Sequence, residues 1–203
     1  IKDETLLAEL SFGIEKHTVF SLVGPNGSGK SCIIKLICGL LYKDKGTIYI
    51  KGYDTDIKKN EIKALVGYMP QKNDIDDELN IFDNLTLYAQ LYGFNSNDAK
   101  QAATTLAKKL NFNDCLYNFP SSVSNGILRV ILFARSIIHN PEILLLDEPT
   151  VHLDPLYKDL IWDYISEIKD KKTIFYCTQN FNEAQEYADR IAILHEGVIK
   201  YNG

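Results

Sequence analysis

Apolar residues fall along this chain in two alternating textures, and the alternation itself predicts the architecture. "TVFSLVG" (Thr18 to Gly24) is a nearly continuous apolar run, rich in β-branched and aromatic residues, of the kind that forms a strand buried on both faces. A glycine-rich loop follows, and then "KSCIIKLICGLL" carries the spacing of a helix. "GTIYIKG" (Gly46 to Gly52) alternates as a strand between two glycines, and "ALVGYMPQ" reads as another strand, ended by Pro70.

From Lys72 to about Asn140 the period changes to that of helices. "NIFDNLTLYAQLYGF" places Ile81, Leu85, Tyr88 and Tyr92 on one face, and "NDAKQAATTLAKKL" does so with Ala99, Ala103, Leu106 and Leu110. A third helix follows "SSVSNGILRV", with Ile127, Val130, Ile131, Ala134, Ile137 and Ile138 as its buried face. It starts on a Ser-Asn-Gly tip whose free backbone N–H groups form an anion site. The strand–helix alternation then resumes. "EILLLDEP" is a buried strand, and "DPLYKDLIWDYISEIKDK" is a helix with Asp154 as N-cap and Pro155 at its first position. "TIFYCTQ" is a strand, "NFNEAQEYA" is a helix capped by Asn180 with Glu183 three residues on, and "RIAILHEGVIKYNG" is a hairpin. The pattern predicts an α/β domain with a mostly parallel sheet, its core at residues 1–71 and 140–203, and an all-helical subdomain inserted at about 72–139. Ligands of such sheets sit beyond the carboxyl ends of the strands.

Composition narrows this little. The 203 residues suffice for one domain with a real core, and a net charge of −5 gives no basic footprint, so no nucleic acid is expected as a partner. No apolar run approaches the roughly 18 residues of a membrane span. Charged Lys2, Asp3 and Glu4 give the start no secretory signal. The four cysteines, Cys32, Cys38, Cys115 and Cys177, have no metal-ligand spacing and read as reduced, packed thiols. The opening on Ile1 reads as a fragment or an excised domain.

The chemistry begins at the end of the first strand. "GPNGSGKS", Gly24 to Ser31, matches GxxxxGK[ST] between a strand and a helix. In such a loop Gly24, Pro25, Asn26, Gly27, Ser28, Gly29 and the residues into Cys32 curl around phosphates, the backbone N–H groups of all but Pro25 being available to bind them. Lys30 reaches the β- and γ-phosphates, and the Ser31 hydroxyl coordinates Mg²⁺. In "ILLLDEP", Asp147 ends a buried strand, where a carboxylate needs a nearby cation. Glu148, one residue on, is placed to hold an attacking water as general base. These features predict a nucleotide-triphosphate site served by ATP and Mg²⁺.

With these residues in order, the chain resembles the nucleotide-binding subunit of an ATP-binding cassette (ABC) transporter. The likeness covers almost the whole chain: the phosphate loop, Gln71 after "YMP", a helical lobe, a signature tip, "LLLDEPT", "HLD" and "TIFYCTQ". It implies a P-loop NTPase fold in which two cassettes bind ATP head to tail. It also implies that Gln71 contacts Mg²⁺ and the water, that Ser124 and Gly126 bind the γ-phosphate held by a second copy, and that Asp154 lines the dimer seam. Asp154 serves equally well as a plain helix cap. The departures are Asn125 in place of the first signature glycine, Ile127 in place of a glutamine, and Gln179, expected as a catalytic residue with Glu148 and Gln71, where most members carry a histidine that touches the γ-phosphate. Asn tolerates positive φ, so the tip is expected to keep the family shape at Asn125. "CTQNFNEAQEYADRIAILHEG" and "NIFDNLTLYAQLYGF" resemble the drug-exporter branch. The aromatic that stacks on adenine in the family has no counterpart, because the chain reads as starting after that strand.

The resemblance thus implies an ATPase at the inner face of the cell membrane that drives export through a separate transmembrane permease subunit. Its second cassette would be an identical or a different copy. Two other functions remain open on the residues: a cassette that binds ATP but turns it over poorly, given Asn125 and Gln179, and a soluble cassette ATPase acting on ribosomes or nucleic acid.

Overall fold

In the computed structural model, residues 7, 8 and 10–203 are described; residues 1–6 and 9, and with them the charged start at Lys2, Asp3 and Glu4, lie outside that description. The elements follow the order β1 (Val19–Val23), α1 (Lys30–Ile37), β2 (Tyr49–Ile50), β3 (Tyr53–Asp54), α2 (Lys59–Leu65) and β4 (Val66–Met69). Then come α3 (Ile81–Leu91), α4 (Ser96–Lys109), short 3-10 turns at Asn113–Cys115 and Pro120–Ser122, and α5 (Asn125–Ile137). The chain continues with β5 (Ile143–Asp147), α6 (Pro155–Ile168), β6 (Thr173–Thr178), α7 (Phe181–Tyr187), β7 (Arg190–His195) and β8 (Val198–Asn202).

Among the described residues one sheet runs β4-β5-β6-β1-β7-β8, parallel throughout except for β8, which returns antiparallel to β7. The continuous apolar runs are explained by burial of both faces. Along β5, Leu144 and Leu146 enter the core on one side of the sheet while Leu145 enters the other, and along β6 Ile174 and Tyr176 oppose Phe175 and Cys177 in the same way. The first core is shared with α3, α4, α5 and α6, the second with α1 and α2.

The fold class is the expected one, an α/β P-loop NTPase arrangement, and the chain between β4 and β5 is helical. Three local readings change. "GTIYIKG" contributes only the two-residue β2, because Lys51 (φ 52°) and Gly52 (φ 82°) turn the chain straight back into β3. Two successive positive-φ residues are the signature of the tightest hairpin turn. Second, Ala64 and Leu65 belong to α2, a helix the pattern did not predict; it buries only Ile62 and its first turn has no side-chain cap. Third, α5 is buried almost all round rather than on one face. Arg129, Leu132, Phe133 and Ser136 are buried along with Val130, Ile131, Ala134 and Ile137. It passes between β4, α3 and α6, so a single-face reading was too narrow.

The caps follow the sequence closely. Asn80, Asn95, Ser124, Asp154 and Asn180 each accept a backbone N–H from the first turn of α3, α4, α5, α6 and α7. Glu183 departs from the expected reciprocal box. Its N–H is capped by Asn180, but its carboxylate turns inward instead of back to the cap.

Candidate functional site

The site forms where the carboxyl ends of β1, β5 and β6 meet the start of α1. Parallel strands β1 and β6 are in register from Val19 with Ile174 to Val23 with Thr178, and β6 pairs onward with β5 up to Asp147 with Cys177. Three chain segments therefore emerge side by side: the loop 24–29, the stretch from Asp147 to Asp154, and Thr178–Gln179. Gly29 caps α1 in the left-handed conformation, with φ of 103°, which a side chain would strain.

Charged groups are unusually buried here: Lys30 is 5% exposed, Asp147 1% and Glu148 4%. Their bonds show how the cost is offset. Lys30 Nζ donates to the carbonyls of Gly24 (2.7 Å) and Pro25 (3.1 Å) and lies 3.4 Å from Glu148 Oε1. Ser31 Oγ donates to Asp147 Oδ1 at 3.0 Å. The Gln179 N–H reaches Glu148 Oε2 at 3.3 Å. Burial pushes the carboxyls of both Asp147 and Glu148 above their ordinary range; the Ser31 bond and nearby Lys35, Lys30 and Arg129 oppose this for Asp147, and Lys30 and the Gln179 N–H for Glu148. Glu148 also takes a positive φ of 50°, a conformation uncommon for such a residue and of a kind that concentrates at functional sites.

The loop fits a phosphate chain. Ser28 Oγ is buried without a partner, and among the described residues the N–H groups of Asn26, Gly27 and Gly29 make no protein hydrogen bond. Orphaned donors at the head of an eight-residue helix are what a bound anion satisfies. The Ser31 hydroxyl beside the Asp147 carboxylate is a hard-oxygen pair suited to Mg²⁺. Among the described residues no cluster of three His, Cys, Asp or Glu could hold a metal by itself.

Other expected residues stand apart from this group. Cys32 lies one position beyond Ser31 in α1, half-buried. Gln71 is exposed just beyond β4, and among the described residues its only hydrogen bond is made by its backbone carbonyl. Gln179 is exposed and meets the group through its backbone. Ser124 Oγ accepts the Ile127 N–H at 3.3 Å, and Asp154 Oδ1 accepts that of Tyr157 at 3.2 Å, so both act as helix caps. Among the described residues no hydrogen bond joins the Ser124–Gly126 tip or Asp154 to the phosphate loop. Asn125 does not take the expected left-handed shape: it is the first residue of α5 and has no positive φ, so nothing at this position calls for a left-handed residue. Gly126 is constrained differently, since a Cβ there would lie 2.5 Å from the ring of Tyr157 on α6.

At the heart of the arrangement lies one residue that no sequence motif marks. Arg129 of α5 is 5% exposed and bridges two loops. Nη1 donates to the carbonyls of Pro70 (2.9 Å) and Gln71 (2.8 Å), and Nη2 to those of Glu148 (2.8 Å) and Asp147 (3.4 Å). Burial lowers its pKa to about 10, against the pull of Asp147 and Glu148, which leaves it charged at neutral pH. The signal available in the sequence was an arginine between Leu128 and Val130 in a strongly apolar stretch.

The chain is similar to known proteins over most of its length. The family described as ABC transporter matches residues 7–151. The ABC transporter ATP-binding protein NatA of Bacillus subtilis is 30% identical over 197 residues, covering 96% of this chain and 80% of NatA. The Nod factor export ATP-binding protein I of Rhizobium etli is 30% identical over 196 residues, and this chain spans only 62% of it. The linearmycin resistance ATP-binding protein LnrL of Bacillus subtilis is likewise 30% identical, with 63% of its length spanned. Among solved structures, an ATP-binding subunit of an ABC transporter superposes with a TM-score of 0.90 at 27% identity, over 100% of this chain and 85% of that one. A dimeric ATP-binding cassette in a post-hydrolysis state, bound to ADP and Pi, shares the fold with a TM-score of 0.89 at 24% identity, over 98% and 90% of the two chains.

Proposed function

The chain belongs to the ABC transporter family, whose cassettes are ATPases, and from that premise we propose that it binds and hydrolyses ATP to drive export through separate transmembrane subunits. The observation that carries this reading is the buried group at the phosphate loop, Lys30 against Glu148 and Ser31 against Asp147, at the head of a helix with unpartnered N–H groups. Lys30 exchanges its carbonyl and Glu148 contacts for the β- and γ-phosphates. That exchange frees Glu148, whose carboxyl is already raised by burial, to accept a proton from the attacking water. Ser31 and Asp147, with Gln71 at the rim, would hold Mg²⁺, which supplies charge neutralisation on the phosphates.

The exposed Ser124 and Asn125, the half-buried Gly126 and the exposed Asp154 fit the second half of a composite site. In this reading the tip offers the Ser124 hydroxyl and the first-turn N–H groups to the γ-phosphate of a second cassette, arranged head to tail. ATP then joins two copies and hydrolysis releases them, moving a permease at the inner face of the cell membrane. Among the described residues no helix is long and apolar enough to cross a membrane. The likeness to the Nod factor export ATP-binding protein I supports an exporter over other transporter types.

The decisive experiment is Glu148→Gln. Turnover should fall roughly 10²–10⁴-fold while ATP binding persists, and ATP should trap a dimer visible by light scattering. Parent-like turnover would place the base elsewhere. Inactivity of both proteins beside their permease would favour a poorly hydrolysing, regulatory cassette.

A further inference from the structure

Glu183 is 3% exposed on a short helix at the far side of the site, and its carboxylate is spent entirely on other segments. Oε1 accepts the hydroxyl of Thr150 and, at 3.0 Å, the indole N–H of Trp162 on α6. Oε2 accepts the hydroxyl of Thr178 at 3.0 Å. Lys158 Nζ stands 3.9 Å away at the edge. A buried carboxylate is costly unless its lone pairs are filled, and here three donors from three segments fill them. An apolar side chain would pack α7 against the core without that cost, so the choice of a carboxylate calls for a reason beyond packing.

The identity of the donors supplies one. Thr150 lies two residues after Glu148, and Thr178 directly precedes Gln179, whose N–H binds Glu148 Oε2 at 3.3 Å. A closed ring results: Glu183 to Thr150, along the chain to Glu148, across to Gln179, back to Thr178 and to Glu183. Thr178 Oγ1 also accepts the Asn180 N–H at 3.0 Å, which fixes the rotamer that donates to Glu183. We infer that Glu183 is a positioning residue, which locks the loop bearing Glu148 and the loop bearing Gln179 into a single unit. The inference rests on the reading of Glu148 as the base. It touches neither nucleotide nor water and acts through the two threonines.

Thr150→Val and Thr178→Val keep the shape of the side chain and remove one donor each. Each should lower kcat by about 10- to 100-fold, the scale of a misplaced catalytic group, with KM for ATP unchanged because the phosphate loop is untouched. Thr150→Ser and Thr178→Ser retain the hydroxyl and should restore kcat. A structural role alone would instead lower the melting midpoint and leave kcat per folded molecule unaltered, and that result overturns the inference.

A second readout needs no turnover. Trp162 is the only tryptophan in the chain, so its ¹⁵N-indole resonance reports the Glu183 carboxylate without ambiguity. Glu148→Gln should shift that resonance in the parent background and leave it unmoved in the Thr150→Val, Thr178→Val double variant. Equal shifts in both backgrounds, or none in either, overturn the ring. Parent-like turnover of Glu148→Gln sinks the assignment of the base instead, so the two failures are told apart.

Discussion

At the phosphate loop, every charged group already has a partner within its own chain: Lys30 with Glu148, Ser31 with Asp147, Glu148 with the Gln179 N–H. At the start of α5 the reverse holds, because Ser124 caps its helix and the tip otherwise faces solvent. The first region is buried and electrostatically costly, with two carboxyls raised by burial and a backbone angle uncommon for glutamate. The second is exposed and relaxed; Asn125 sits in ordinary helical conformation and Gly126 is there to admit Tyr157. This contrast is what the proposed composite site asks for: nucleotide would relieve the cost at the first region, and a second cassette would bring the ligand of the second.

Breaking the first region should have the largest effect. Mg-ATP at a hundredfold excess over Kd should stabilise the parent by about 2.7 kcal/mol. Lys30→Ala deletes the ammonium that reaches the phosphates and should abolish most of that thermal shift. Calorimetry or a melting scan with and without nucleotide checks it, and a full shift in the variant would end the assignment of this loop to phosphate.

Breaking the second region should show up in assembly instead. Ser124→Arg removes a helix cap at a cost of about 1 kcal/mol and places bulk and charge at the tip. ATP binding by the single chain should stay normal while ATP-driven dimerisation and turnover disappear. Normal dimers on that sample would reduce the tip to a cap.

How much of each region could be read from sequence follows from how local its determinants are. The phosphate loop is eight consecutive residues between a strand and a helix, and Asp147–Glu148 ends a strand of unmixed apolar texture, so both were legible. Arg129 and Glu183 were not. Arg129 earns its position from carbonyls 58 and 59 residues earlier in the chain and others 18 and 19 later, which no periodicity reveals. Glu183 looked like the second half of a capping box because the local pattern is satisfied; its carboxylate answers to Thr150 and Trp162, brought near only by the fold. Helix α2 escaped because a helix that buries one residue leaves no apolar stripe.

The smallest predicted effect is also the sharpest probe of the contrast, since it measures the stored cost directly. Burial raises the Asp147 carboxyl, so the folded chain holds its proton to higher pH than the unfolded chain, whose aspartates titrate near 3.9. The stability contributed by the protonated form is therefore complete below about pH 4 and is lost as pH rises through the folded pKa. Asp147→Asn mimics the protonated carboxyl and keeps an acceptor for Ser31. Without nucleotide its melting midpoint should match the parent at acid pH and exceed it at pH 7, by about 2–4 °C for each 1 kcal/mol of relieved cost in a domain of this size. With Mg-ATP the order should reverse, because the parent alone then has a cation for its carboxylate. Asp154→Asn is the matching change at the exposed end of the site. Asn caps a helix about as well as Asp, so its midpoint at pH 7 should match the parent. If Asp147→Asn lowers the nucleotide-free midpoint at pH 7, the buried carboxylate is already compensated within the empty chain, and the contrast between the two regions loses its electrostatic basis.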